Sequence, residues 1–150
     1  MSESAFEARY QIVCDAQFRT RLVQIELRDS GGAQSVEISA EDGRWYLNGD
    51  QIESVRGAID VDLGWSPSTN TLPIRRLGLE VGQSSGKFTA AWVRFPELAL
   101  EPLPQEYRRL GETEYLYLSR GGAFKAKLLV DDYGLVMDYE GFWQRVPNAE

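Results

Sequence analysis

Asp60 and Asp62 have the types and spacing that could do chemistry. They alternate with apolar residues in "IDVDL", so strand geometry sets both carboxylates on one face, about 7 Å apart. Paired carboxylates could serve glycan hydrolysis, although such pairs normally face each other across a cleft from separate elements. The same two groups could instead accept hydrogen bonds from loop amides or pair with arginine. Arginines stand nearby: Arg75 and Arg76 follow the polar loop "SPSTNT", in which Asn70 is a turn former. Trp65, just ahead of that loop, is a core plug or a lid.

What the chain lacks narrows the chemistry further. It has no histidine and a single cysteine, Cys14. Ser-His-Asp and Cys-His catalysis are therefore closed to it, as are histidine-rich and cysteine-rich metal sites. No glycine-rich phosphate loop is present; Gly31-Gly32 and Gly121-Gly122 read as turns. No cofactor or metal is expected. Asp131 and Asp138 read as turn and strand-end aspartates.

The elements that must position these residues are mostly strands. In "TRLVQIELRD", Val23, Ile25 and Leu27 share one face, and "SVEISA" repeats the pattern with Val36 and Ile38. Asp42-Gly43 and Asn48-Gly49 are strong hairpin signals, so a meander is expected over residues 19–55. Later strands are apolar on both faces: "KFTAAWVRF" and "EYLYLS" must be covered on each side. "FKAKLLV", "GLVMDY" and "FWQRV" complete the β-rich reading, and Trp45, Trp92 and Trp143 are expected in the core. One helix is expected at "PQEYRRLG", with Pro104 at its start and Gly111 just past its end. The alternation slips by one residue at Arg75-Arg76, which predicts a β-bulge turning both guanidiniums to similar sides.

At 150 residues the chain is expected to form a single domain, without needing a disulfide or metal. The net charge of −7 argues against nucleic acid and against sustained contact with an anionic membrane. Only Lys87, Lys125 and Lys127 are lysines, so the basic residues are mainly arginines, suited to fixed pairing. No apolar run reaches the roughly 20 residues of a membrane helix. The opening "MSESAFEARY" lacks the marks of a signal peptide, and a cytoplasmic setting is expected.

"GRWYLNG", "DVDLGWSPSTNTLPIRRLGL", "WVRFPEL", "QEYRRL" and "LLVDDYGLVMDYEGFWQR" together resemble the bacterial putative glycolipid-binding family, formerly a domain of unknown function. The resemblance runs from about Arg44 to Arg145, and "TNTLPIRRL" is its most specific stretch. It departs at Glu140, where members tend to carry proline. The resemblance implies a mainly β, single-domain spiral β-roll, a long curled antiparallel sheet wrapped around one short helix, and it implies dimers. The leading expectation is a non-enzymatic binding protein for a lipid or glycolipid amphiphile. Its candidate ligand-binding residues are Arg75, Arg76, Asn70, Asp60, Asp62, Trp65 and Tyr107. A homodimeric interaction protein without a ligand is the second reading. A glycan hydrolase using Asp60 or Asp62 is the third.

Overall fold

The computed structural model describes residues 5–144. The first four residues, part of the opening expected to carry no leader, lie outside the described residues. So do Arg145 and Val146, at the end of the last expected strand.

The expected meander is present. Strands β2 (Thr20–Asp29), β3 (Gly32–Glu41), β4 (Arg44–Leu47) and β5 (Asp50–Gln51) follow one another antiparallel. Both dipeptides make two-residue hairpin loops with positive φ throughout: 51° and 78° at Asp42-Gly43, 49° and 89° at Asn48-Gly49. A further strand, β1 (Phe6–Cys14), extends this sheet beyond the expected meander by pairing with β2.

Among the described residues the second sheet has seven strands in the order β12-β11-β10-β9-β8-β7-β6. They are β6 (Val61–Leu63), β7 (Phe88–Val93), β8 (Leu100–Arg109), β9 (Glu114–Ser119), β10 (Phe124–Val130), β11 (Val136–Tyr139) and β12 (Trp143–Gln144). Among the described residues the architecture is thus mainly β, with two sheets, one of them strongly curled into a half-barrel, and one short helix. This corrects the expectation of one long antiparallel sheet. β5 and β6 do not pair, and β6 runs parallel to β7. At the seam, the Thr20 amide donates to the Ile59 carbonyl and the Val61 amide donates to Thr20 Oγ1.

Two cores result. Val23, Ile25, Ile38 and Trp45 of the first sheet pack against Val61, Leu63, Ala91 and Val93 of the second. The Trp45 indole N–H also donates to the Ala58 carbonyl at 2.9 Å. The second core lies in the curled sheet, where Tyr107, Tyr115, Tyr117, Leu128 and Val130 pack on Ile74 and Leu79. This double covering explains the two-sided apolar strands: Ala91 and Val93 face the first core, whereas Ala90 and Trp92 alternate to the other side.

The helix is not where it was expected. "PQEYRRL" lies largely in β8, with Gln105 and Tyr107 buried and Pro102 and Pro104 exposed. Both prolines fall where β8 pairs with β7 alone, so their missing N–H groups interrupt no central ladder. The helix, α1 (Thr71–Leu77), is "TLPIRRL", preceded by a 3-10 turn over Pro67–Asn70. The apparent slip at Arg75-Arg76 is therefore helical spacing and not a bulge: Pro73 and Ile74 are buried, and Leu77 packs on the second core. Asn70 closes the 3-10 turn at the helix N-cap with helical dihedrals, rather than sitting in an irregular loop. Gly78, at φ 56°, ends the helix in the left-handed conformation.

Trp143 is 48% exposed, not a core residue, because β12 is the sheet's outermost strand. The Glu140 amide donates to the Lys127 carbonyl at 3.0 Å, a bond that proline could not supply.

Candidate functional site

β6 presents its residues alternately to the two sides of the sheet. Val61 and Leu63 go to the first core, and Asp60 and Asp62 go to the other face. The two carboxylates meet different surroundings there. Asp60 is 1% exposed and is gripped by the Arg76 guanidinium, with Nε to Oδ1 at 3.1 Å and Nη2 to Oδ2 at 2.7 Å. Burial pushes the Asp60 carboxyl up, and the Arg76 hydrogen bonds and charge oppose that push. The same guanidinium lies 5.4 Å from the Phe88 ring centre, so an aromatic face and a carboxylate together hold it.

Arg75 goes elsewhere. Successive helical residues diverge by about 100°, and Arg75 donates from Nη1 to the Tyr133 carbonyl at 3.0 Å. Its guanidinium sits over Phe18 at 4.7 Å. The two arginines do not converge on one ligand position.

Among the described residues, Asp62 has no cationic partner. The Gln105 amide donates to its Oδ2, and the same nitrogen reaches the Tyr117 hydroxyl at 3.0 Å. Among the described residues, Oδ1 accepts no hydrogen bond. Burial pushes the Asp62 carboxyl up to about 6; the Gln105 hydrogen bond opposes the shift, and the charge of Asp60 adds to it. Tyr117 and Tyr139 are raised above the usual phenol range, first by burial and then by the charge of Asp62.

Asp62 lines an open cleft of about 280 Å³ on the face of the curled sheet. Its polar lining includes Ser66, Asn70, Ser119 and Arg120. Its apolar lining is dominated by rings: Trp92, Tyr117, Phe124, Tyr139, Phe142 and Trp143. Phe124, Tyr139 and Phe142 pack with ring centres 5.6–6.4 Å apart. Arg120 lies over Trp92 at 5.4 Å, on a backbone held at φ 53°.

The structure therefore brings together Asp62 and Asn70 of the expected set. Asp60, Arg76 and Tyr107 stand behind them as supports: Tyr107 is 1% exposed and its hydroxyl accepts from Asn70 Nδ2 at 2.8 Å. Trp65 is half-buried between Tyr10 and Phe95, packs on the first core and does not line the cleft. The residues missed are the aromatic wall and Arg120. Their one signal was the two-sided apolar pattern of "KFTAAWVRF" and "EYLYLS"; nothing local joins β7 and β9 to the chain's last hairpin. Among the described residues, no group of three or more His, Cys, Asp or Glu could hold a metal ion, and no helix is long and apolar enough to cross a membrane.

The family model described as Putative glycolipid-binding matches residues 1–145. The chain belongs to that family. A crystal structure of a DUF1089 family protein from Pseudomonas aeruginosa is similar to it, with 36% sequence identity and a TM-score of 0.89. That similarity covers 95% of this chain and 79% of the other. No curated protein matches the chain. The glycolipid-binding family match reaches into the first sheet, ahead of the stretches from Arg44 onward that carry the resemblance in sequence.

Proposed function

We propose that this protein is a non-enzymatic binder of a lipid or glycolipid amphiphile, and that the cleft over Asp62 receives the head group. The observation that carries the reading is the lining of that cleft: ring faces on its walls and hydrogen-bonding groups at Asp62, Asn70 and Ser119. Aromatic faces pack against the C–H faces of a sugar, while a few fixed polar groups read its orientation. A cleft of about 280 Å³ lies near the lower end of small-molecule sites, which begin at about 300 Å³. It suits a head group, not a pair of acyl chains.

The curl's interior supports the same division of labour. Tyr107 and Leu128 fill it at 0–1% exposure, so the acyl portion stays outside. Phe142 and Trp143, 64% and 48% exposed, offer it an apolar rim. In this reading the curled sheet and α1 act as the spiral roll of the family, filled by its own side chains and offering the cleft over Asp62 as its head-group site.

Octyl β-glucoside, titrated against tryptophan fluorescence below its micelle concentration, tests the proposal. Saturable binding that weakens in Phe142→Ala and Asp62→Asn is expected. Binding that tracks alkyl chain length alone, with both variants unaffected, would refute a head-group site.

A homodimer is the second reading, favoured by the exposed outer edge of β1. Among the described residues that strand pairs only with β2, and it carries Phe6 and Tyr10 at 47% and 38% exposure. Sedimentation showing a monomer at cellular concentration excludes it.

A further inference from the structure

The floor of the cleft is electrically incomplete. Asp60 takes both hydrogen bonds of Arg76, so that pair is neutral and closed. Asp62, which lines the cleft, has only the neutral amide of Gln105 at Oδ2, and its Oδ1 has no donor among the described residues. Among the described residues no cation contributes to keeping it ionised, and its charged neighbour Asp60 works against ionisation.

The other groups packed around the floor do not supply the missing charge. Tyr107 on β8, Tyr117 on β9 and Tyr139 on β11 all have raised phenol pKa values and stay neutral. Arg76 on α1 belongs to Asp60. Arg120, beyond β9, lines the same cleft but lies on Trp92. A carboxylate taken out of water needs a partner, or it takes up a proton instead. Where the protein brings no partner, the ligand can.

Resting on the head-group reading above, we propose that the cleft selects a head group bearing a primary ammonium group, which donates to Asp62 Oδ1 among the surrounding aromatic faces. Charge-assisted hydrogen bonds are about twice as strong as neutral ones, and ring faces attract a cation where they would be indifferent to a hydroxyl. Two amphiphiles carry this chemistry: an amino-sugar glycolipid and an ethanolamine phospholipid. The phosphate of the second would have Arg120 within the same cleft.

Three probes with the same alkyl chain test the proposal: octyl β-glucosaminide, octyl β-glucoside and an octyl phosphoethanolamine. Each is titrated calorimetrically at about pH 7 and about pH 5, on either side of the Asp62 titration, with the probes' amines still largely protonated. The glucosaminide is expected to bind roughly tenfold tighter than the glucoside at the higher pH. That advantage is expected to shrink at the lower pH and to vanish in Asp62→Asn, whose carboxamide still accepts from Gln105. Equal affinity for all three probes overturns ammonium selection and leaves the head-group reading standing. Tighter binding of the phosphoethanolamine, with the same Asp62 dependence, supports ammonium selection and assigns it to a phospholipid. Failure of all three probes to bind overturns both proposals.

Discussion

Replacing Asp62 by asparagine should make the protein more stable at neutral pH. In the folded chain this carboxyl is raised from 3.8 to about 6, chiefly by burial. Each pKa unit corresponds to about 1.36 kcal/mol, so ionising Asp62 costs the native state about 1–3 kcal/mol. The sign follows from proton uptake. Between the unfolded and folded values the native state holds a proton that the unfolded chain has released, so stability falls as pH rises through that window. Above about pH 7 the full cost is present, and below about pH 4 it is absent. Asparagine keeps the shape and the acceptor for Gln105 but never carries the charge. Urea denaturation of both proteins from pH 4 to pH 8, followed by tryptophan fluorescence, measures the difference directly. The curves should coincide at the acid end, with the variant pulling ahead as pH rises. Parallel curves across that range, or a variant less stable at pH 8, would refute the claim that Asp62 is ionised at the protein's expense.

Two further outcomes follow from the geometry around the site. Arg76→Met strands the buried Asp60 carboxylate and should cost about 3–5 kcal/mol, or about 6–20 °C in Tm. Adding Asp60→Asn should recover part of that loss; a single-variant loss under about 1 kcal/mol by calorimetry would contradict a buried pair. In Gly64→Ala the new Cβ would stand 2.9 Å from Trp92 Nε1 and 3.1 Å from the Val93 oxygen. It should displace Trp92, cost about 1–3 kcal/mol and shift the tryptophan emission, and an unchanged spectrum and stability would count against that close approach.

The sequence by itself determined the strands that obey a local rule. Period-2 alternation and two hairpin dipeptides are local signals, and they were enough for the meander from Thr20 to Gln51. Alternation also placed Asp60 and Asp62 on one face, and the pairing of a carboxylate there with Arg76 was among the readings open from sequence. The helix was not legible. "TLPIRRL" is seven residues long, too short for periodicity to separate a helix from a slipped strand, and packing against the second core decides it. "PQEYRRL" carries helix-start and helix-stop residues, yet pairing with β7 and β9 makes it a strand, since tertiary hydrogen bonds outweigh weak local propensity.

Only the tertiary structure assembled the cleft. Its floor comes from Asp62 and its walls from Trp92, Tyr117 and Tyr139, on strands that meet because the sheet curls, and from Phe142 in the turn ahead of β12. Nor could sequence say which of two neighbouring aspartates would be neutralised. Arg76 reaches Asp60 because one turn of helix aims it there, while Asp62, two residues on, lines the cleft with no cationic partner among the described residues. That difference in partners is a matter of distance and direction, which residue order does not encode.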